Sequence, residues 1–269
     1  MNASFCRYQS LRRYNPGMRK FSVGRHAASQ TRFVFLAAQW QDLVMLNYEV
    51  DPCLLRQYVP TGTELDLFDG KTYVSLVGFR FHRTKMAGVI SIPFHVNFAE
   101  VNLRFYVCRK MGSEERRGVA FLAEIVPKRV VARIARAVYS ENYFCFPMRH
   151  FQMMEAAKKI VGYEWRAHDR WCKLRAEVCG IPEHPAEGSL EQFITEHYWG
   201  YVTQRNGQCL EYHVEHPRWR VWKSELAGLE GDTSSVYGPE LGEVLQSKPD
   251  CTFVADGSPV TVYAGRKVE

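Results

Sequence analysis

Between Phe98 and Val107 the chain reads Phe-Ala-Glu-Val-Asn-Leu-Arg-Phe-Tyr-Val, so polar or amphipathic side chains alternate with apolar ones without a break. A repeat of two is the period of a β-strand. It puts Glu100, Asn102, Arg104 and Tyr106 on one face and Val101, Leu103, Phe105 and Val107 on the other. Two arrangements satisfy this pattern. In one the polar face meets water and the apolar face packs on a core. In the other the polar face turns inward and lines a pocket inside a small barrel. There a carboxylate, an amide and a guanidinium in one row would need each other or a ligand, because buried polar groups without partners cost free energy.

The flanking sequence supplies further strands and few helices. Phe33–Leu36 and Leu43–Tyr48 are apolar, partly β-branched runs on either side of Trp40-Gln41-Asp42. Asp51-Pro52 is a helix N-cap followed by proline in the first turn, and Pro60 ends the short helix that follows. Asp69-Gly70 between Glu64–Phe68 and Lys71–Phe81 predicts a hairpin, as does Asn206-Gly207 between Tyr198–Thr203 and Cys209–Val214. Val119–Val126 reads as a buried strand, and Val130, Val131, Ile134, Ala137 and Val138 mark one face of a helix after Pro127. From Tyr143 to Ala167 and from Trp171 to Val178 alternation predicts strands, with Glu155–Lys159 open to a helical turn instead. Ser189 begins a helix, Trp219–Leu226 is strand-like, a Gly/Ser-rich stretch holds a short helix, and a last hairpin is expected to turn at Asp256-Gly257-Ser258. No internal repeat or linker divides residues 33–269. Many short strands with few helices predict one α+β domain on a closed or strongly curved antiparallel sheet.

Charge separates the first 32 residues from the rest. They carry seven basic residues and no acid, leaving 28 basic and 29 acidic residues for the remainder, which is close to neutral. The segment has no sustained amphipathic pattern and reads as a disordered extension; an organelle-targeting segment or a phosphate-binding arm are the other readings. Nucleic acid is thus a weak candidate for the body of the protein. No run of about 18 apolar residues predicts a membrane span. The eight cysteines form no C-x-x-C pair, which fits reduced thiols in a cytoplasmic protein.

Several segments together carry a family resemblance. They are Trp40…Leu46, Asp51-Pro52…Leu55…Val59-Pro60…Leu65, Phe68-Asp-Gly70, Glu100-x-Asn-x-Arg-x-Tyr-Val107, Ala135-Arg136-Ala-Val-Tyr139, Phe193-Ile-Thr-Glu-His-Tyr198, Val214-x-His216-Pro217-x-Trp219 and Ala255-Asp256-Gly257. The chain resembles the YqjF-like family of conserved bacterial proteins of unknown function, and more distantly acetoacetate decarboxylase. That resemblance implies a β-barrel with flanking helices and an interior site. Acetoacetate decarboxylase uses an imine-forming lysine, a neighbouring lysine, a barrel glutamate and a carboxylate-binding arginine. Carried over by motif, the glutamate falls on Glu100, the two lysines on Tyr143 and Phe144, and the arginine on Gln41. A phenol cannot condense with a ketone and an amide cannot neutralise a carboxylate, so the substitutions remove the imine route.

What remains for chemistry is Glu100 as a candidate acid or base and Tyr143 as a candidate proton donor, with Gln41, Asn102, Arg104 and Tyr139 as candidate ligand contacts. Each has a plainer alternative: an Arg104–Glu100 contact along the strand, or a Tyr143 ring that only packs. Lys158 and Lys159 are adjacent but sit in a segment expected to be solvated. His213, Glu215 and His216 suggest a metal site only superficially, since His213 and His216 would point to opposite faces of a strand. No metal or cofactor is implied. The expected partner is a small molecule, with a homo-oligomer possible. Two functions remain open: an enzyme acting on a small carbonyl or carboxyl compound without a Schiff-base lysine, or a non-catalytic binding protein on the same barrel.

Overall fold

A computed structural model of the chain describes residues 33–89, 96–138, 142–224 and 226–268, without the side chains of 134–138. The basic segment 1–32 and Tyr139 lie outside the described residues. In chain order the elements begin with β1 (Val34–Val50), α1 (Pro52–Leu55), β2 (Glu64–Leu65), β3 (Thr72–Met86), β4 (Phe98–Met111), β5 (Glu114–Val126) and α2 (Arg129–Val138). There follow β6 (Tyr143–Cys145), β7 (Met148–Glu155), β8 (Lys158–Ala167), β9 (Arg170–Cys179), α3 (Leu190–Thr195), β10 (Trp199–Thr203) and β11 (Cys209–Glu215). The last are β12 (Val221–Lys223), β13 (Leu226–Glu230), α4 (Ser234–Tyr237), α5 (Pro239–Gln246), β14 (Cys251–Tyr263) and β15 (Arg266–Lys267).

Seven strands run side by side in the order β14, β1, β3, β4, β5, β10, β11, and β11 returns to β14 through the pairs Val214–Val262 and Glu215–Thr261. The result is a strongly curved sheet brought round on itself rather than an evenly staved barrel. Two of its joins are short, because β5 meets β10 in parallel only at Gly118–Trp199 and Val119–Gly200. A second sheet, β13-β9-β8-β7, packs on the outside of the ring.

The alternation in β4 is resolved by this layering. Every residue from Phe98 to Cys108 is buried, so neither face meets bulk water. Val101, Leu103 and Phe105 face outward and pack with Tyr163, Trp165 and Leu174 of the second sheet and with Leu241 and Leu245 of α5. Each such side chain removed from water contributes roughly 1.5–3 kcal/mol. Close approach of the two sheets depends on Gly78 in β3, where an added Cβ would lie 2.5 Å from the Tyr163 ring. The polar face of β4 is thereby left to the inside of the ring.

Several local expectations are met. Asp51 accepts a hydrogen bond from the Cys53 amide at 2.8 Å, and Ser189 from that of Gln192 at 3.2 Å. The Asn206-Gly207 turn joins β10 to β11. Others are corrected. Asp69-Gly70 makes a tight turn, but its upstream arm, β2, pairs with β4 instead of β3. Residues 155–159 form the tip of the β7–β8 hairpin, turning at Ala156-Ala157 with Ala156 at φ 53°, and not a helical turn. Trp219–Leu226 is divided between β12 and β13, which belong to different sheets. No hairpin turns at Asp256–Ser258: β14 runs straight through, and Gly257 pairs with Gln41. The turn-like composition there has another cause. Gly257 sits at φ 84°, and a Cβ would come within 2.2 Å of the Trp40 carbonyl, so glycine is needed for close approach inside a strand.

Candidate functional site

The inside of the ring holds a partly open cavity of about 160 Å³ whose wall includes Glu100, Asn102 and Arg104 from β4 and Tyr143 from β6. Phe98, at the head of the same inward row, begins an aromatic cluster. Its ring stacks on Phe81 at 4.6 Å, Phe81 lies 5.1 Å from Phe79, and Trp40 contacts Phe79 at 5.1 Å and Trp219 at 6.0 Å. The row thus runs from an aromatic end to a cationic one, across about 20 Å of extended strand between Phe98 and Arg104.

Within the row, Asn102 Nδ2 donates to Glu100 Oε1 at 3.1 Å. Arg104 is 8% exposed, yet its guanidinium makes no ion pair among the described residues. Its polar contacts are a long one from Nη2 to Met45 Sδ at 3.9 Å and a side-chain hydrogen bond to the Tyr106 hydroxyl, its Cζ lies 6.0 Å from the Tyr106 ring centre, and Nε has no partner. Tyr106, next on this face, is also anchored through Ser75 to Asn47, whose Nδ2 donates to the Cys251 carbonyl at 2.9 Å. Burial raises the pKa of the Tyr106 phenol, partly opposed by the nearby Arg104 cation, so it stays protonated at neutral pH.

Gln41 is not on the cavity wall. Its Oε1 accepts from Arg80 Nη2 at 3.1 Å, outside the ring. The reason is a bulge. Asp42 takes φ 55°, and the β1–β3 register shifts between Gln41 and Val44. A period of two counted back from Leu43 would put Gln41 inside, but the extra residue reverses the parity and Trp40 lines the cavity in its place. Asp42 itself is held between the sheets by Arg80 at 3.0 Å and Lys159 at 2.5 Å. Phe144 likewise faces away from the cavity, stacking on Phe146 at 5.6 Å. No lysine lines the cavity among the described residues; Lys158, on the second sheet, pairs with Glu177 at 3.6 Å.

Three wall residues escape a reading by periodicity. Glu124 faces inward because the β4–β5 register shifts after Leu103, and a lone carboxylate in the apolar run Val119–Val126 was the signal for it. Thr195 ends α3 and His197 follows it. His197 Nε2 lies 2.9 Å from Asp66 Oδ2, and the same oxygen accepts from Arg117 Nε at 2.7 Å. Burial pushes the His197 pKa down to about 4, with the Arg117 cation adding to the effect and the Asp66 hydrogen bond opposing it. At neutral pH the ring is therefore neutral, Nε2–H donates to the Asp66 carboxylate, and Nδ1 is a buried acceptor with no partner. His216 also reaches the wall, stacked on Trp219 at 4.2 Å, and burial lowers its pKa to about 4. His213 packs instead against Trp199 at 4.8 Å and Tyr263 at 5.6 Å. Among the described residues no three His, Cys, Asp or Glu side chains are grouped to hold a metal.

Comparison with known proteins places this geometry. The uncharacterized protein YqjF of Bacillus subtilis (strain 168) is 27% identical over 206 residues, covering 76% of this chain and 82% of YqjF. Among solved structures, the enduracididine biosynthesis enzyme MppR superposes with a TM-score of 0.65 at 12% identity, covering 95% of this chain and 97% of MppR. Acetoacetate decarboxylase from Legionella pneumophila gives 0.62 at 12% identity over 93% of both chains. An acetoacetate decarboxylase-like enzyme from Sphingomonas wittichii RW1 gives 0.61 at 14% identity, over 87% of this chain and 93% of that one. At such identities the likeness is one of fold. The DUF2071 family model matches residues 37–259, from within β1 to within β14, and the chain therefore belongs to this family of uncharacterized conserved proteins.

Proposed function

We propose that the cavity takes a small organic molecule bearing a carboxyl or carbonyl group, and that the protein acts on it by acid–base chemistry without a covalent imine. The observation that carries this reading is Arg104, a buried cation with no carboxylate partner among the described residues, in the same inward row as Asn102 and Glu100. A guanidinium held out of water without a counter-charge is costly, and a bound carboxylate would both neutralise it and match its planar fork. Glu100 then stands two strand positions beyond Asn102, placed to move a proton on the ligand, and Tyr143 can donate to a carbonyl oxygen. Aromatic walls suit the apolar part of the molecule and keep water out. The fold neighbour MppR, solved in complex with pyruvate, supports a small oxo acid as the kind of molecule this scaffold can take.

The test is a calorimetric and thermal-shift screen of small mono- and oxo-carboxylates against the wild type and Arg104→Met, with proton NMR of each binder in D₂O. Saturable binding that Arg104→Met abolishes, with deuterium entering the ligand, is the expected result. A ligand that binds through Arg104 and stays chemically unchanged makes this a binding protein instead. Carboxylates that bind equally well to Arg104→Met would remove the basis of the reading.

A further inference from the structure

We propose that the protein forms a two-fold homodimer in which β7 of one copy pairs antiparallel with β7 of another, joining the two outer sheets into one of eight strands. β7 is the edge of the second sheet: one side pairs with β8, and the other is open among the described residues. An open edge is a template for another strand, and monomeric proteins blunt it with proline, inward charge or added lysine. Met148–Glu155 holds no proline and no lysine, and it exposes Met153 and Met154, at 43% and 67%.

The sequence of this edge is complementary to itself. A two-fold axis perpendicular to the sheet keeps each face on its own side, so odd-numbered residues can oppose only odd ones. Centring the axis on Gln152 sets Arg149 against Glu155 of the second copy and Phe151 against Met153, each twice. It is the one symmetric register that places opposite charges across from one another. Opposed side chains in such a ladder stand about 4.5–5.5 Å apart at Cβ, within ion-pair reach, and Phe–Met contacts are favourable in their own right. Within one copy, Arg149 lies over the Trp171 ring at 4.4 Å, while Glu155 makes no ion pair among the described residues, so a cation from another copy would complete it. The outer face of the ladder then continues from Trp171 through Arg149 into the second copy.

The experiment is sedimentation velocity and light scattering on the full chain from about 1 to 100 µM. The wild type is expected at twice the chain mass of 31.2 kDa. Arg149→Glu and Glu155→Arg should each weaken the dimer by about tenfold or more, and the double variant should recover it. Met153→Lys, which adds charge to the edge without touching the ion pair, should also dissociate it, with thermal melts checking that each variant is folded. A wild type of monomer mass throughout the range overturns the proposal, leaving the edge to some other occupant or to none. So does a dimer indifferent to Arg149→Glu and Met153→Lys, or a double variant that fails to recover.

Discussion

Replacing Arg104 by methionine should stabilise the ligand-free protein while destroying its capacity to bind a carboxylate. Arg104 is 8% exposed, its Nε lacks a hydrogen-bond partner, and its contacts are a thioether at 3.9 Å, a weak acceptor, and the uncharged Tyr106 phenol. Methionine has a similar reach and would sit among Met45 and the aromatic wall with no charge to desolvate. Exchanging buried ionic groups for well-packed apolar ones of similar volume is typically neutral to stabilising by 1–4 kcal/mol, and the cavity lessens the penalty by giving the guanidinium some hydration. A gain of about 1–3 kcal/mol is the working figure, which for a chain of this size raises the melting temperature by roughly 2–10 °C. In the bound state the sign reverses: loss of a desolvated guanidinium–carboxylate contact costs about 2–5 kcal/mol of affinity, some thirtyfold or more. Circular-dichroism melts and urea titrations without ligand, beside calorimetry with a carboxylate found to bind the wild type, measure both halves. A ligand-free Arg104→Met protein that melts several degrees below the wild type would refute the reasoning and assign Arg104 a structural role.

Glu211 should behave in the opposite way. It is 1% exposed and holds Arg109 at 3.0 Å, Arg116 at 2.7 Å and Arg266 at 2.7 Å, so Glu211→Gln would leave three guanidinium groups without their shared counter-charge and cost about 3–5 kcal/mol in urea unfolding. Acid should destabilise the protein above the usual carboxylate range. His197 and His216 have folded pKa values near 4, whereas their unfolded values are near 6.5, so the unfolded state takes up more protons between those limits. Their contribution is complete above about pH 6.5 and is lost as pH falls toward 4; the urea midpoint should drop across that window, and more shallowly in His216→Phe, which keeps a ring against Trp219. Borohydride reduction in the presence of acetoacetate should leave the intact mass unchanged, because no lysine lines the cavity among the described residues; a stoichiometric adduct on one lysine would contradict the imine-free reading.

The β4 strand and its two faces were legible from an unbroken period of two, whereas the choice of the inward arrangement over a solvated one rested on the resemblance to a closed sheet. The short helices were legible from their caps at Asp51 and Ser189. What a period of two does not reveal is where an extra residue resets it, and the choice of Gln41 rested on the motif carry-over alone. Asp42 in β1 moved Trp40 into the cavity and Gln41 out, and the irregularity after Leu103 brought Glu124 inward. Gly257 gave the composition of a turn for a contact made across a ladder. Partners far apart in the chain, such as Asp66 and His197, share no local pattern at all. Their meeting depends on β2 crossing to β4 and on α3 delivering the following segment to the wall, both consequences of ring closure.

The uneven fastening of that ring makes the β10–β11 hairpin the part of the wall with the shortest ladders on both sides. β1 is laced to β14 from Val34 to Asn47, but the β10–β11 hairpin is tied into the ring by two residue pairs on either side. Lifting that panel breaks few ladder hydrogen bonds, but it must also part Glu211 from Arg109 and Arg116 and draw Tyr201 and Cys209 out of the core, so side chains rather than ladders hold this side of the ring in place. Because Trp199, Tyr212 and Val214 belong to this panel and line the cavity, a molecule bound there adds contacts that steady it. Amide exchange in β10 and β11 that slows once the cavity is filled, and that quickens in Glu211→Gln, is the trace this fastening should leave.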